Sequence, residues 1–136
     1  MLEQDYLMRL IITFFQAMRR SWEKSEVDRD PQGAADTLEA AIGAATDLDG
    51  AALLSLAPES IATVMQVSGV DPNVTEFVAR GMLLESVYLE QAGQPHLASV
   101  RSAQAHALAQ AYGFELPEDP TDFDTLERAI EESFDA

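Results

Sequence analysis

Three aspartate–proline steps divide this chain, at Asp30-Pro31, Asp71-Pro72 and Asp119-Pro120. Proline has no backbone N–H and a fixed φ, so it breaks a helix from the inside. It is favoured at the first helical position, where its missing donor would be unpaired anyway. An aspartate just before it accepts from the free N–H groups of the first turn. Each step therefore reads as a helix start. Pro58 followed by Glu59, and Pro95 after Gln94, mark two more, and Pro117 is a stop before the last. Gly50, Gly69, Gly93 and Gly113 fall where helices should end.

No stretch of any length alternates strictly between apolar and polar residues, so no strand is expected. The spacing predicts helices over about Leu2 to Ser25, Pro31 to Thr46, Pro58 to Val67, Pro72 to Ala92, Pro95 to Tyr112 and Thr121 to Phe134. A short turn from Ala51 to Leu56 links the second to the third, and Thr121 with Asp124 forms a variant capping box for the last. Apolar faces follow from the helical period: Ala35, Leu38, Ile42 and Ala45; Phe77, Gly81, Leu84 and Tyr88; Phe123, Leu126, Ile130 and Phe134. The expectation is an all-α fold of about six helices arranged as antiparallel hairpins.

At 136 residues, with 47% hydrophobic and 24% charged side chains, the chain has the size and composition of one folded domain. Its organisation reads as a single helical domain over 1–136: a hydrophobic leading helix in 1–29, short helices in 30–69, a hairpin in 70–113 and an acidic C-terminal helix in 119–136. There is no cysteine, which excludes disulfides, a thiolate nucleophile and cysteine-held metal. No run approaches 18 apolar residues, so a membrane span is not expected. The opening Met-Leu-Glu-Gln-Asp is acidic where a secretion signal would be basic, and the expected location is cytoplasmic.

The net charge of −16 is unevenly spread. Residues 1–29 are neutral, with five acidic and five basic side chains, while 30–136 hold 19 acids against Arg80, Arg101 and Arg128. Such a body repels phosphate backbones and anionic lipid, so no nucleic-acid partner is expected and a membrane partner is disfavoured.

Leu84, Tyr88, Gly93, Ala98 and Ala105 resemble one tetratricopeptide repeat. Leucine and aromatic stand four apart on its first helix, a glycine marks the turn, and small residues seven apart on the second helix allow close packing. The Tyr88 to Gly93 interval is one residue longer than the family's, and Ser102 stands where an aromatic is usual. The match covers about 30 residues in one copy, which implies a helical hairpin rather than a stacked solenoid. Asp5-Tyr6-Leu7-Met8-Arg9, and Leu53-Leu54-Ser55-Leu56 before Pro58-Glu59, resemble a family of small bacterial helical proteins with no assigned activity. That resemblance implies a leading hydrophobic helix followed by a repeat-like hairpin and a bacterial source, and no residue roles.

The first helix is the most informative segment. On a wheel of about 100° per residue, Arg9, Thr13, Gln16 and Arg20 form a narrow polar stripe. Leu7, Leu10, Ile11, Phe14, Met18 and Trp22 face away from it, and Met8, Ile12 and Phe15 widen the apolar side to half the circumference or more. A surface helix needs an apolar stripe of only about 100°. Something must cover the excess: the rest of the chain, a symmetry mate, a membrane surface or another protein. The contact residues expected on it are Leu7, Leu10, Ile11, Phe14, Phe15, Met18 and Trp22, in a homodimer joined through this helix.

Candidate chemical sites are thin. Asp47-Leu48-Asp49-Gly50 has the look of a calcium loop, but the loop would need ligands at Ala45 and Leu56, so it reads as a helix-ending turn. Asp119, Asp122, Asp124 and Glu127 read as a cap favouring the positive end of the last helix. His96 and His106 are ten apart, too far for a shared metal on one helix. No nucleophile elbow or phosphate loop is present. Arg80 and Arg101 are expected to pair with Glu76, Glu85 or Glu90. The sequence therefore predicts no catalytic residue, no cofactor and no metal. It predicts an interaction or scaffold module with an unidentified protein partner. The alternatives are a binder of small apolar ligands between the first helix and the hairpin, or a membrane-surface adaptor.

Overall fold

Two of the three aspartate–proline steps do start helices. Asp30 Oδ1 accepts from the Gly33 N–H at 2.9 Å, and Asp71 Oδ1 accepts from the Asn73 N–H at 2.8 Å. In the computed structural model, which describes residues 2–134, the elements are α1 (Leu2–Glu26), α2 (Pro31–Thr46), α3 (Gly50–Leu54), α4 (Pro58–Val67), α5 (Pro72–Gln91), α6 (Pro95–Tyr112) and α7 (Phe123–Phe134). Position 1 of the leading segment and positions 135 and 136 of the acidic C-terminal segment lie outside the described residues. Among those described, every regular element is a helix.

Three local expectations are corrected. The third step does not open a helix. Asp119 instead closes a turn, accepting from the Thr121 N–H at 2.9 Å and the Thr121 hydroxyl at 2.6 Å. α7 begins later, at Phe123, and its cap is Asp122, which accepts from the Thr125 N–H at 3.1 Å and the Thr125 hydroxyl at 2.7 Å. Gly50 does not end α2. That role falls to Asp47, which takes the left-handed conformation at φ 58°, while Gly50 starts the short α3 under an Asp49 cap. Gly50 is needed there for a different reason: a Cβ would lie 2.6 Å from the Glu39 carbonyl oxygen of α2. Gly69, Gly93 and Gly113 take positive φ just past α4, α5 and α6, as helix ends require.

The helices stack in order from one flank to the other. α7 lies on α1, α1 on α2 and α5, α2 on α5, and α5 on α6, with α4 covering α6. The α5–α6 hairpin is the most extensive pairing. Leu84, Tyr88 and Ala105 are fully buried in it and Ala98 nearly so. At the crossing of α1 over α5, the Phe14 ring rests directly on Gly81, where any Cβ would collide with it. The flank toward α7 is aromatic: Phe123 meets Phe15 edge-on at 6.3 Å and Trp22 at 6.1 Å.

Candidate interaction surface

Packing on both flanks decides what α1 has left to offer. Of the seven contact residues expected from the sequence, Ile11, Phe14, Phe15 and Met18 are buried in the chain's own core, and Leu7, Leu10 and Trp22 are partly buried against it. α2 and α5 take one side of the helix and α7 takes the other. Ser21 and Tyr88 tie α1 to α5 as well: Ser21 donates to the Met18 carbonyl at 2.6 Å, and the Tyr88 hydroxyl donates to Ser21 Oγ at 2.9 Å. Burial pushes the Tyr88 phenol well above its ordinary range.

The outward side of α1 is instead the polar stripe. Arg9, Thr13, Gln16 and Arg20 are all exposed, and so are Asp5, Tyr6 and Ile12. Tyr6 at 60% and Ile12 at 38% are large apolar side chains left in water. Arg9 and Arg20 make no ion pair or side-chain hydrogen bond with any described residue, in a chain with three times as many acids as bases. Beside the stripe, α1 and α2 enclose a shallow groove of about 240 Å³. Ala17, Ala41, Ala44 and Ala45 form its floor, and Arg9 and Arg20 stand on its rim.

At the end of the bundle this groove meets a larger cleft of about 670 Å³, with Tyr6, Leu10 and Ala45 shared between the two. The cleft lies between the start of α1, the end of α2, the α4–α5 turn and Tyr112 at the end of the hairpin. Its charged lining is Glu3, Asp47 and Asp71, with no basic side chain. The Tyr112 hydroxyl itself is buried, without a hydrogen-bond partner among the described residues.

Arg80 and Arg101, by contrast, are engaged. Arg80 Nη2 lies 3.9 Å from Glu76 Oε2, and its guanidinium sits 5.3 Å above the Phe77 ring. Arg101 Nε lies 3.2 Å from Glu85 Oε2, with the two side chains only 4% and 1% exposed. Arg101 Nη1 also donates to the Leu54 carbonyl at 3.0 Å and to Gln104 Oε1 at 2.7 Å. Gln104 Nε2 in turn donates to the Leu54 and Leu56 carbonyls at 2.9 and 2.8 Å. This junction satisfies the carbonyls that end α3 and pins them to α6. Glu85 Oε1 has no hydrogen-bond partner among the described residues. Burial raises the Glu85 carboxyl to about 7, with Arg101 opposing the shift and Glu39 and Asp36 on α2 adding to it. The pairings of Arg80 and Arg101 expected from the sequence are present, but Arg101 is enclosed rather than a surface charge.

His96 and His106 are both exposed. Asp49 caps α3, and Asp119 and Asp122 hold threonine N–H and hydroxyl groups, which keep both carboxyls below their ordinary range. Among the described residues no three His, Asp or Glu side chains gather closely enough to hold a metal ion, and no helix is long and apolar enough to cross a membrane. Comparison with protein-family models, curated proteins and solved structures finds no match to this chain.

Proposed function

We propose that this chain is a non-catalytic interaction module that pairs with a second copy of itself through the outward side of α1. The observation that carries the reading is a symmetry in the exposed stripe. Asp5, Arg9, Gln16 and Arg20 lie within about 60° of one another on the helix, with Ile12 and Thr13 to either side. Under an antiparallel two-fold axis between positions 12 and 13, each residue i faces residue 25 − i of the other copy. Asp5 then meets Arg20, Arg9 meets Gln16, and Ile12 meets Thr13. Arg9 and Arg20 of the stripe thereby gain an amide oxygen and a carboxylate. Sliding the register to set Arg9 against Arg20 would oppose like charges, so charge favours one alignment. Thr13 and the alanine floor keep the contact low enough for close helix approach.

Helix pairs of this length bury area at the low end of stable interfaces, so dissociation in the micromolar range is expected. The test is solution mass by light scattering over a dilution series. The full chain should be dimeric when concentrated and Arg20→Asp monomeric, while Asp5→Arg combined with Arg20→Asp should restore the dimer. A wild-type chain that stays monomeric, or a dimer indifferent to Arg20→Asp, would remove the reading.

A second reading, binding of a small ligand between the first helix and the hairpin, is favoured by the end cleft of about 670 Å³. That volume falls within the range of ordinary ligand sites. The membrane-adaptor reading gains no support, because Leu7, Leu10, Ile11, Phe14, Phe15, Met18 and Trp22 of α1 pack against the chain's own core, and of its described large apolar side chains only Tyr6 and Ile12 are left exposed.

A further inference from the structure

We propose that the end cleft binds an organic cation with a short apolar body, of the alkylammonium class. This deepens the small-ligand reading of the cleft and does not depend on self-association. Three features converge on it.

The first is charge. Glu3 from the start of α1, Asp47 from the α2–α3 turn and Asp71 from the α4–α5 turn line one cleft, and among the described residues no arginine, lysine or histidine joins them. Asp71 spends one carboxylate oxygen on the Asn73 N–H, and neither Glu3 nor Asp47 makes a side-chain hydrogen bond or ion pair with a described residue. An anionic ligand would meet like charge there, and a neutral one would gain nothing from it.

The second is the wall. Tyr6 and Tyr112 line the cleft, and Leu10 and Val74 add aliphatic surface. Aromatic faces attract a cation and aliphatic surface takes its carbon body.

The third is spacing. The carboxylates are not gathered as a metal site would need. Carboxylates spread around a wide, partly aromatic cleft suit a large and weakly hydrated cation rather than a compact ion.

The experiment is isothermal titration of the full chain with hexyltrimethylammonium chloride at about 0.15 M salt, where long-range attraction is screened. Hexanol and hexanoate serve as the neutral and anionic counterparts. The cation should saturate one site per chain, hexanoate should not bind, and hexanol should bind at least about tenfold more weakly, a difference of about 1.4 kcal/mol. Asp47→Asn tolerates the left-handed backbone there and should weaken the cation by about two- to fivefold. Ser68→Lys, at an exposed lining position, should abolish binding. Glu118→Gln changes the net charge by the same amount away from the cleft and should have no effect. Equal binding of hexanol and the cation would overturn the cation inference and leave the small-ligand reading standing. No binding of either would end both. If Glu118→Gln weakened the cation as much as Asp47→Asn does, the attraction would belong to the whole acidic surface, and the proposal would fail.

Discussion

Arg101 and Arg20 are the same residue type in one acidic chain, and they occupy opposite extremes. Arg101 is enclosed by α3, α5 and α6, with an ion pair to Glu85 and hydrogen bonds to Leu54 and Gln104. Arg20 stands in water on the outward side of α1 beside an alanine-floored groove, with no ion-pair or side-chain hydrogen-bond partner among the described residues. The first is committed to holding one conformation, because a buried charge that loses its partner is costly. The second is left available, since an exposed pair inside the chain would add little stability. In this molecule, then, charge acts inwardly at the α3–α6 junction and outwardly along α1.

The largest test of that contrast is to delete each arginine in turn. Arg101→Leu should destabilise the fold by about 3–5 kcal/mol in urea titration at pH 8, where Glu85 is ionised. Arg20→Leu should stay within about 0.5 kcal/mol of wild type while changing self-association. Equal stability losses would erase the distinction. Next comes the inner side of α1. Gly81→Ala forces a Cβ into the buried Phe14 ring and should cost about 1–3 kcal/mol, read as a lowered urea midpoint.

The remaining test concerns pH. In the unfolded chain Glu85 gives up its proton near 4.5, whereas in the folded chain it holds it to about 7. Between these values the folded state binds more protons, so this contribution to stability is present at low pH and is lost as pH rises through the window. Glu85→Gln should flatten that part of the profile. Asp119 and Asp122 act with the opposite sign and in a lower window. Their carboxyls are depressed below 3.8, so the stability they add is present above that value and fades as pH falls further. Subtracting the Glu85→Gln profile from the wild type isolates the Glu85 contribution, and a difference that rises with pH between 4.5 and 7 would contradict the assignment.

Most of the fold was legible because proline and glycine act locally. The expected bounds of α2, α4 and α6 match, and the faces read from Leu38, Phe77, Leu84 and Phe123 are buried. Local signals failed where two of them competed. Asp119-Pro120 has the pattern of a helix start, but Asp122 with Thr125 supplies a better cap three residues on. Gly50 has the pattern of a helix end, but Asp47 reaches the left-handed region first.

The contact surface was the least legible feature. A wheel identifies the wide apolar side of α1 but cannot say how many neighbours will cover it. Only the assembled chain places α2 and α5 on one flank and Phe123 of α7 on the other. The polar stripe was visible in Arg9, Thr13, Gln16 and Arg20. Asp5 and the exposed Ile12 join it only once the covered side is known. The end cleft had no sequence signal, because Glu3, Asp47 and Asp71 are far apart in the chain, one on α1 and two in different turns.

The most direct test of the outward side of α1 uses the absence of cysteine. Thr13→Cys places a single thiol beside the proposed two-fold axis, and Val67→Cys places one at an exposed site outside the contact. Under mild oxidation the proposed pairing predicts rapid disulfide-linked dimers for Thr13→Cys, since bridging needs α-carbons within about 7 Å, and only slow, concentration-driven linkage for Val67→Cys. Equal rates at the two positions, or no linkage at Thr13, would contradict self-association through α1.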